Sequence, residues 1–386
     1  MRRDDTHLAF LDSFRGFAIL SVFLFHCYAA TYGLEQSWNG LFLDFSRAPS
    51  LLFFPLTFGW VGVPVFFVIS GFCIHLSHQR SNHKDFYIFF IRRFFRIYPP
   101  YFVALLVCSL FLVKFGSFSE LVQIASHVLL IQNFYGQFIY GINASFWSIA
   151  IEVQLYLLYP LLCFVGRRLS WTTVLWMTGS IEVGLRIFSV LYATARDVPL
   201  SVTCTPAILA TCSPFYFWFG WSLGAAAAEA FIAGKALPFS GVPVWVFPSL
   251  TLVALLVKPL VSFVFLLAAL STVSFVNLFL ATSGNSRPVR PPFVERHLRL
   301  AGLASYSMYL LHQPLLSFFV ALLTGTYFHL PPAMDVALCI VAWFPVLLIS
   351  RLFCRFIELP CIELGKKMIQ WHLSRFSAIK QVVIKV

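Results

Sequence analysis

The chain has 386 residues, of which 60% are hydrophobic and only 11% charged. That balance excludes a soluble globule and fits a polytopic membrane protein. The formal net charge of +12 would suit a nucleic-acid partner, but the basic residues gather at the ends of apolar runs, so no nucleic acid is expected.

About ten spans of roughly 18–25 residues are expected, the length a bilayer requires. They fall near residues 10–31, 58–78, 97–115, 145–165, 171–192, 212–232, 242–257, 260–281, 302–325 and 335–355. The fold class is therefore all-α, an integral membrane bundle with the lipid bilayer as its surroundings. The first apolar run is too long for a signal-peptide core and reads as a retained span. With the N-terminus in the cytoplasm, one side receives Arg2, Arg3, Arg80, Lys84, Arg92, Arg93, Arg96, Arg167, Arg168, Lys235 and the basic residues of 283–299 and the C-terminal stretch. The other side receives Arg47, Lys114, Arg196 and Lys258. This asymmetry implies an even number of spans and two cytoplasmic termini.

Outside the spans, residues 32–57 form an outer loop with Glu35, Trp38, Asn39 and Asp44. Residues 116–144 form a second outer segment, whose 119–133 stretch is amphipathic and suits the membrane interface. Residues 283–299 read as a basic, proline-containing inner loop. The domain reading is a transmembrane domain over 1–362 and a basic cytoplasmic tail over 363–386. Nine cysteines sit mostly in or beside apolar runs without a CxxC pair, and read as small buried hydrophobes. His75, His78 and His83 cluster loosely after the second span. They read as a hydrated loop, and no metal site is expected. No internal repeat of the kind found in duplicated-half transporters is present.

Several motifs place polar groups inside spans, where ionisable side chains are costly and point to function. In LAFLDSFRGFAILSVFLFHCYAATYG, Arg15 and His26 lie eleven positions apart. On a helix they share a face, separated by about 16 Å along the axis. Asp12 stands three residues before Arg15, so its carboxylate can orient the guanidinium. His26 can act as a general base. The alternative reading makes Arg15 a snorkelling anchor and His26 a packing residue. In FYIFFIRRFFRIYPPYF, Arg93 and Arg96 share a face, with Arg92 beside them. Such a fork suits a phosphate, and coenzyme A offers three; a simple positive-inside anchor is the alternative.

In NASFWSIAIEVQLYLLYPLL, Ser148 and Glu152 share a face of an otherwise apolar span, with Trp147 adjoining. A buried carboxylate there needs a partner, and an arginine or the His26 imidazole would serve. In LASYSMYLLHQPLL, Ser305, Tyr309 and His312 follow helical spacing, and Pro314 marks a kink. His312 reads equally as a helix-packing hydrogen-bonder. Two further motifs are GWVGVPVFFVISGFCI, whose glycines permit close helix approach, and FIELP, which ends the last span.

Taken in order, these motifs resemble the acyltransferase-3 family of polytopic membrane acyltransferases, from about residue 8 to 362. The segments that carry the resemblance are LDSFRG with FH, GWVGVPVFFVISGF, FIRRFFRIYPPY, WSIAIEVQLYLLYP, SYSMYLLHQP and IELP. Pro64 stands where the family pattern often has an acidic residue, and Val153 where it has a second glutamate. The resemblance implies transfer of an acyl group, commonly acetyl, from acyl-CoA as co-substrate to a hydroxyl, usually on a carbohydrate, at the cell inner membrane. It implies no tightly bound cofactor. The form is the O-acetyltransferase type without a fused extracytoplasmic hydrolase-like domain.

On that reading His26, Glu152, Arg15 and Asp12 are the catalytic candidates. Arg93, Arg96 and Arg92 would hold the CoA phosphates. Ser148, His312, Tyr309 and Trp147 would bind the acceptor. The expected acceptor is a surface polysaccharide or its lipid-linked precursor, with a small molecule or lipid as alternatives. A transporter or flippase using the same buried charges is the rival from another class.

Overall fold

The computed structural model describes residues 3–34, 38, 50–81, 84–112, 117–196, 212–283, 292–324 and 332–383. Its helices are α1 (Arg3–Tyr32), α2 (Gly62–Gln79), α3 (Phe86–Leu112), α4 (Phe118–Val128), α5 (Phe146–Arg168), α6 (Trp171–Arg196) and α7 (Trp218–Ile232). Then come α8 (Val246–Leu256), α9 (Val264–Ser283), α10 (Phe293–Leu303), α11 (Ser305–Thr324), α12 (Pro332–Val341), α13 (Trp343–Phe353) and α14 (Leu359–Val383). Tight 3-10 turns at Phe54–Val61, Pro214–Phe217 and Lys258–Phe263 lead into α2, α7 and α9. No strand occurs among the described residues.

Seven helical stretches among the described residues are long and apolar enough to cross a membrane. Each of the ten expected spans contains a helix, and four details differ from the sequence expectation. The segment at 242–257 yields only the 11-residue α8, about 16 Å long, roughly half a bilayer. Val257 is extended at φ −120° and ψ 102°, and Pro259 opens the next turn, so the helix cannot continue. Residues 293–299, expected in a loop, are helical as part of α10. The last span does not end near 355. Helical structure continues over Met334–Ser374, interrupted by a one-residue turn at Ala342 and passing through a π-helical turn at Cys354–Glu358, so no break marks residue 362. His75 and His78, expected in a hydrated loop, lie on α2 and are buried at 0% and 4% exposure. Two further expectations rest partly on other ground: His83 and most of the 32–57 loop, including Glu35, Asn39 and Asp44, lie outside the described residues.

Lipid tails give helices no hydrophobic reason to associate, so close backbone packing has to hold the bundle. Of the crossings close enough to require glycine, two frame the site. A Cβ at Gly71 would lie 2.0 Å from the Trp221 carbonyl oxygen, and one at Gly224 would lie 2.0 Å from that of Val68. This clamps α2 onto α7. Likewise a Cβ at Gly16 would lie 1.9 Å from the Leu298 carbonyl oxygen, and one at Gly302 would lie 1.8 Å from that of Asp12. The pairing of 16 with 298 and 12 with 302 makes α10 antiparallel to α1. It also sets the start of α11 beside Asp12 and Arg15.

Polar ties complete the frame. Glu182 and Arg186 on α6 form an ion pair at 2.6 Å, both side chains about 1% exposed. The Phe219 N–H donates to Glu182 at 2.9 Å, and Arg186 donates to the carbonyls of Tyr216 and Ser262. The guanidinium also stacks 4.0 Å from the centre of the Tyr216 ring. One residue pair thus ties α6 to α7 and to the turn before α9. As the sequence indicates, α4 is amphipathic and begins with a Ser117–Glu120 capping box. Tyr98 and Tyr101 of α3 donate to its terminal carbonyls, at Val128 and His127, groups the helix itself leaves unpaired.

Candidate active site

Helices α1, α2, α3, α5 and α11 enclose a cavity of about 500 Å³. Asp12 and Arg15 line it from α1, and Arg93 and Arg96 from α3. Arg80, at the end of α2, joins these arginines on the wall. Asp12 accepts a hydrogen bond from Arg15 at 3.0 Å, as their three-residue spacing predicts. Arg93 donates to Ser77 at 3.3 Å and lies over the Phe89 ring at 5.7 Å. Arg92 does not line the cavity; it turns toward Ser81, to which it donates at 3.1 Å. The cationic wall is therefore Arg15, Arg80, Arg93 and Arg96. Arg80 was not singled out from sequence, because its nearness to Arg93 and Arg96 arises only when α2 and α3 pack.

Glu152 lines the same cavity. It accepts from Ser70 at 2.6 Å and from the Tyr156 hydroxyl, and Trp221 in turn donates to Ser70 at 3.3 Å. The expected partner, an arginine or His26, is not the one found. Hydroxyls on α2 and α5 stabilise this carboxylate, and His26 stands in a separate chamber. Ser148 and Tyr309 close the cavity at its far side, their hydroxyl oxygens 2.6 Å apart.

His26 lies beyond that closure, in a small chamber of about 40 Å³. Trp60, Trp147, Tyr140, Phe265 and Tyr309 share its wall. The spacing along α1 separates Arg15 from His26 by about 16 Å, so one straight helix serves both chambers. The imidazole is held by Gln313, whose Nε2 lies 2.8 Å from Nδ1 and 3.1 Å from Nε2 of His26. The Gln313 carbonyl oxygen accepts from the Ser145 N–H at 2.9 Å. That bond fixes which end of the amide faces the histidine: the NH2 group donates, so the ring nitrogen it meets carries a lone pair. A neutral His26 ring can accept this bond on one of its nitrogens, and neutral imidazole is the form a general base needs.

Pro314 explains why this segment meets α11. A proline at that position supplies no N–H to the carbonyl four residues back. The orphaned Leu310 carbonyl accepts instead from the Asn143 side chain at 2.9 Å. This anchors residues 143–148 against α11, where Ser145 reaches Gln313 and Ser148 reaches Tyr309.

His312 takes the helix-packing place, one of the two that the sequence left open. It is fully buried and lines neither cavity. Its Nδ1 donates to the carbonyls of Met308 and Tyr309, at 3.1 and 3.0 Å, leaving Nε2 to accept from Ser145 at 3.4 Å. The ring packs 5.0 Å from His26, centre to centre. It supports His26 and does not reach the space a substrate would fill. Sequence reasoning named this histidine and passed over its neighbour Gln313, which is the residue that touches His26. Glu358 of the FIELP motif is also buried, and accepts from Ser307 of α11 at 2.6 Å. No group of histidine, cysteine and carboxylate side chains suited to a metal occurs among the described residues.

A family model described as an acyltransferase domain matches residues 8–351. The chain belongs to the acyltransferase-3 family. With its long apolar helices, it is a multi-pass integral membrane protein. Among curated relatives, the O-acetyltransferase OatA of Staphylococcus aureus is 23% identical over 408 residues, covering 98% of this chain and 61% of OatA. The acyltransferase MdmB of Streptomyces mycarofaciens is 25% identical over 207 residues, covering 51% of this chain and 49% of MdmB. The chain thus spans less than two thirds of the length of these relatives. No solved structure gives a significant match.

Proposed function

We propose that this protein is a membrane O-acyltransferase that takes an acyl group, acetyl by preference, from acyl-CoA. The group passes to a hydroxyl of a surface polysaccharide or its lipid-linked precursor. The observation that carries the reading is the arrangement of one cavity with four guanidinium groups on its wall and, beyond its closed end, a histidine held by Gln313. The names of the relatives point the same way. Both termini would face the cytoplasm of a bacterial inner membrane, so the arginine-lined mouth opens where acyl-CoA is made. No tightly bound cofactor is part of the proposal.

Arg80, Arg93 and Arg96 would hold the CoA phosphates through charge-assisted hydrogen bonds. The pantetheine arm would extend along the cavity. Glu152, fixed by Ser70 and Tyr156, offers an acceptor for an amide N–H of that arm. Arg15, paired with Asp12, keeps the wall cationic. At the far end the acceptor oxygen attacks the thioester carbon while His26 takes the hydroxyl proton. The C–S bond breaks, and the proton passes from His26 to the departing sulfur, leaving the ester and free CoA.

The test is free-thiol release from acetyl-CoA by membranes carrying the wild type or His26→Ala, with and without a cell-envelope glycan extract. Release that needs the extract and disappears in a normally abundant His26→Ala supports the proposal. Retained release in that variant refutes the histidine's role. No release with any acyl-CoA, from abundant wild type, refutes the donor and favours a transporter.

A further inference from the structure

The large cavity and the His26 chamber share two lining residues, Val63 on α2 and Tyr309 on α11. They stand at the boundary between the two spaces, where a group moving from the arginines to His26 would meet them. Tyr309 is held across this passage from several sides. Its hydroxyl lies 2.6 Å from that of Ser148, and its ring packs edge-on against Phe66 at 5.6 Å. Ser148 and Tyr309 close the cavity at this point, so a group that reaches His26 has to part them, and the boundary acts as a constriction.

The chamber behind it is small. One water needs roughly 10–15 Å³ of cavity volume of this kind. The chamber's 40 Å³, approximately, corresponds to about three water-sized groups, which matches the three heavy atoms of an acetyl group. Its walls back onto other rings. Trp60 packs on Phe265 at 5.2 Å, Phe265 on Phe217 at 6.0 Å and Trp147 on Phe217 at 5.7 Å. These rings back onto one another, so on this side added methylenes meet close packing.

We infer that Val63, Tyr309 and Trp147 determine acyl-chain length: the constriction and the chamber admit a two-carbon acyl group and reject one of four carbons or more. The inference rests on the reading of acyl-CoA as donor and His26 as the group it must reach. The pantetheine arm stays in the large cavity, and only the thioester and its acyl group enter the passage.

The experiment uses the full chain in membrane vesicles with a glycan acceptor, supplied in turn with acetyl-CoA and butyryl-CoA. Thiol release and label incorporation are read together. Wild type should favour acetyl-CoA by about 100-fold in kcat/KM, the scale at which a snug apolar pocket discriminates by one or two carbons. Val63→Ala widens the constriction and Trp147→Phe enlarges the chamber. Each should raise the butyryl-to-acetyl ratio at least tenfold. Val63→Phe should block acetyl transfer while free CoA still competes for the large cavity. Two substitutions on different helices keep the test decisive if one destabilises the protein. A wild type that uses both donors equally, or active Val63→Ala and Trp147→Phe variants with the wild-type ratio, would overturn the assignment. Absence of thiol release from every acyl-CoA by abundant wild type is a distinct result, and removes the donor reading beneath it.

Discussion

Replacing Gln313 by leucine removes the amide that holds His26 and leaves a side chain of similar size. The Ser145 N–H loses Gln313 but keeps the Asn143 side-chain oxygen at 3.0 Å, so no buried backbone donor is orphaned and the fold should survive. His26 loses the donor that fixes its ring. A neutral hydrogen bond of this kind contributes about 0.5–1.5 kcal/mol, and each 1.4 kcal/mol, approximately, is tenfold in rate. Gln313→Leu should therefore lower kcat by roughly 2- to 13-fold. The KM for acetyl-CoA should not change, because Gln313 stands apart from the arginine-lined cavity. The assay is thiol release from acetyl-CoA at saturating glycan, with protein abundance checked by immunoblot. Unchanged kcat with a raised donor KM would refute the claim that Gln313 acts through His26.

Other expectations are as direct. Arg93→Ala and Arg80→Ala should each raise the apparent KM for acetyl-CoA about 10-fold or more, the scale of a lost charged hydrogen bond, while Arg92→Ala, directed at Ser81, should change it far less; steady-state kinetics across donor concentration decide this. Glu182→Ala strands a buried guanidinium and should cost about 3–5 kcal/mol, visible as a lower melting temperature in detergent, whereas a double change to apolar residues of similar volume should cost much less; equal loss in both would contradict the pairing argument. Gly71→Leu drives a side chain into the α7 backbone and should prevent accumulation of folded protein, scored by size-exclusion profile, and a monodisperse wild-type-like peak would show that the α2–α7 crossing is looser than described.

The membrane class and the helical segments were legible in the sequence, because only a helix or a closed barrel can satisfy its backbone in lipid. Spacing along a single helix was equally readable. Asp12 meets Arg15 as expected, and one face of α1 carries both Arg15 and His26. What depended on irregular backbone was harder to see. The proline at 259 shortened α8, and residues 293–299 became part of α10 because Gly16 and Gly302 let it press against α1.

Partners that lie far apart in the chain were decided by packing alone. Glu152 finds Ser70, 82 positions away, and His26 finds Gln313, 287 positions away. Neither choice leaves a local signature, since a serine or glutamine in an apolar run pairs with whatever the crossing angle of its helix presents. The sequence by itself determined which residues carry charge and how deep each lies on its own helix. Only the tertiary structure decided that Arg80 joins the arginine wall, that His312 turns away, and that Val63 and Tyr309 stand between two chambers. The reason is physical: depth follows from 1.5 Å per residue along one helix, whereas adjacency follows from contacts between helices that no single stretch of chain encodes.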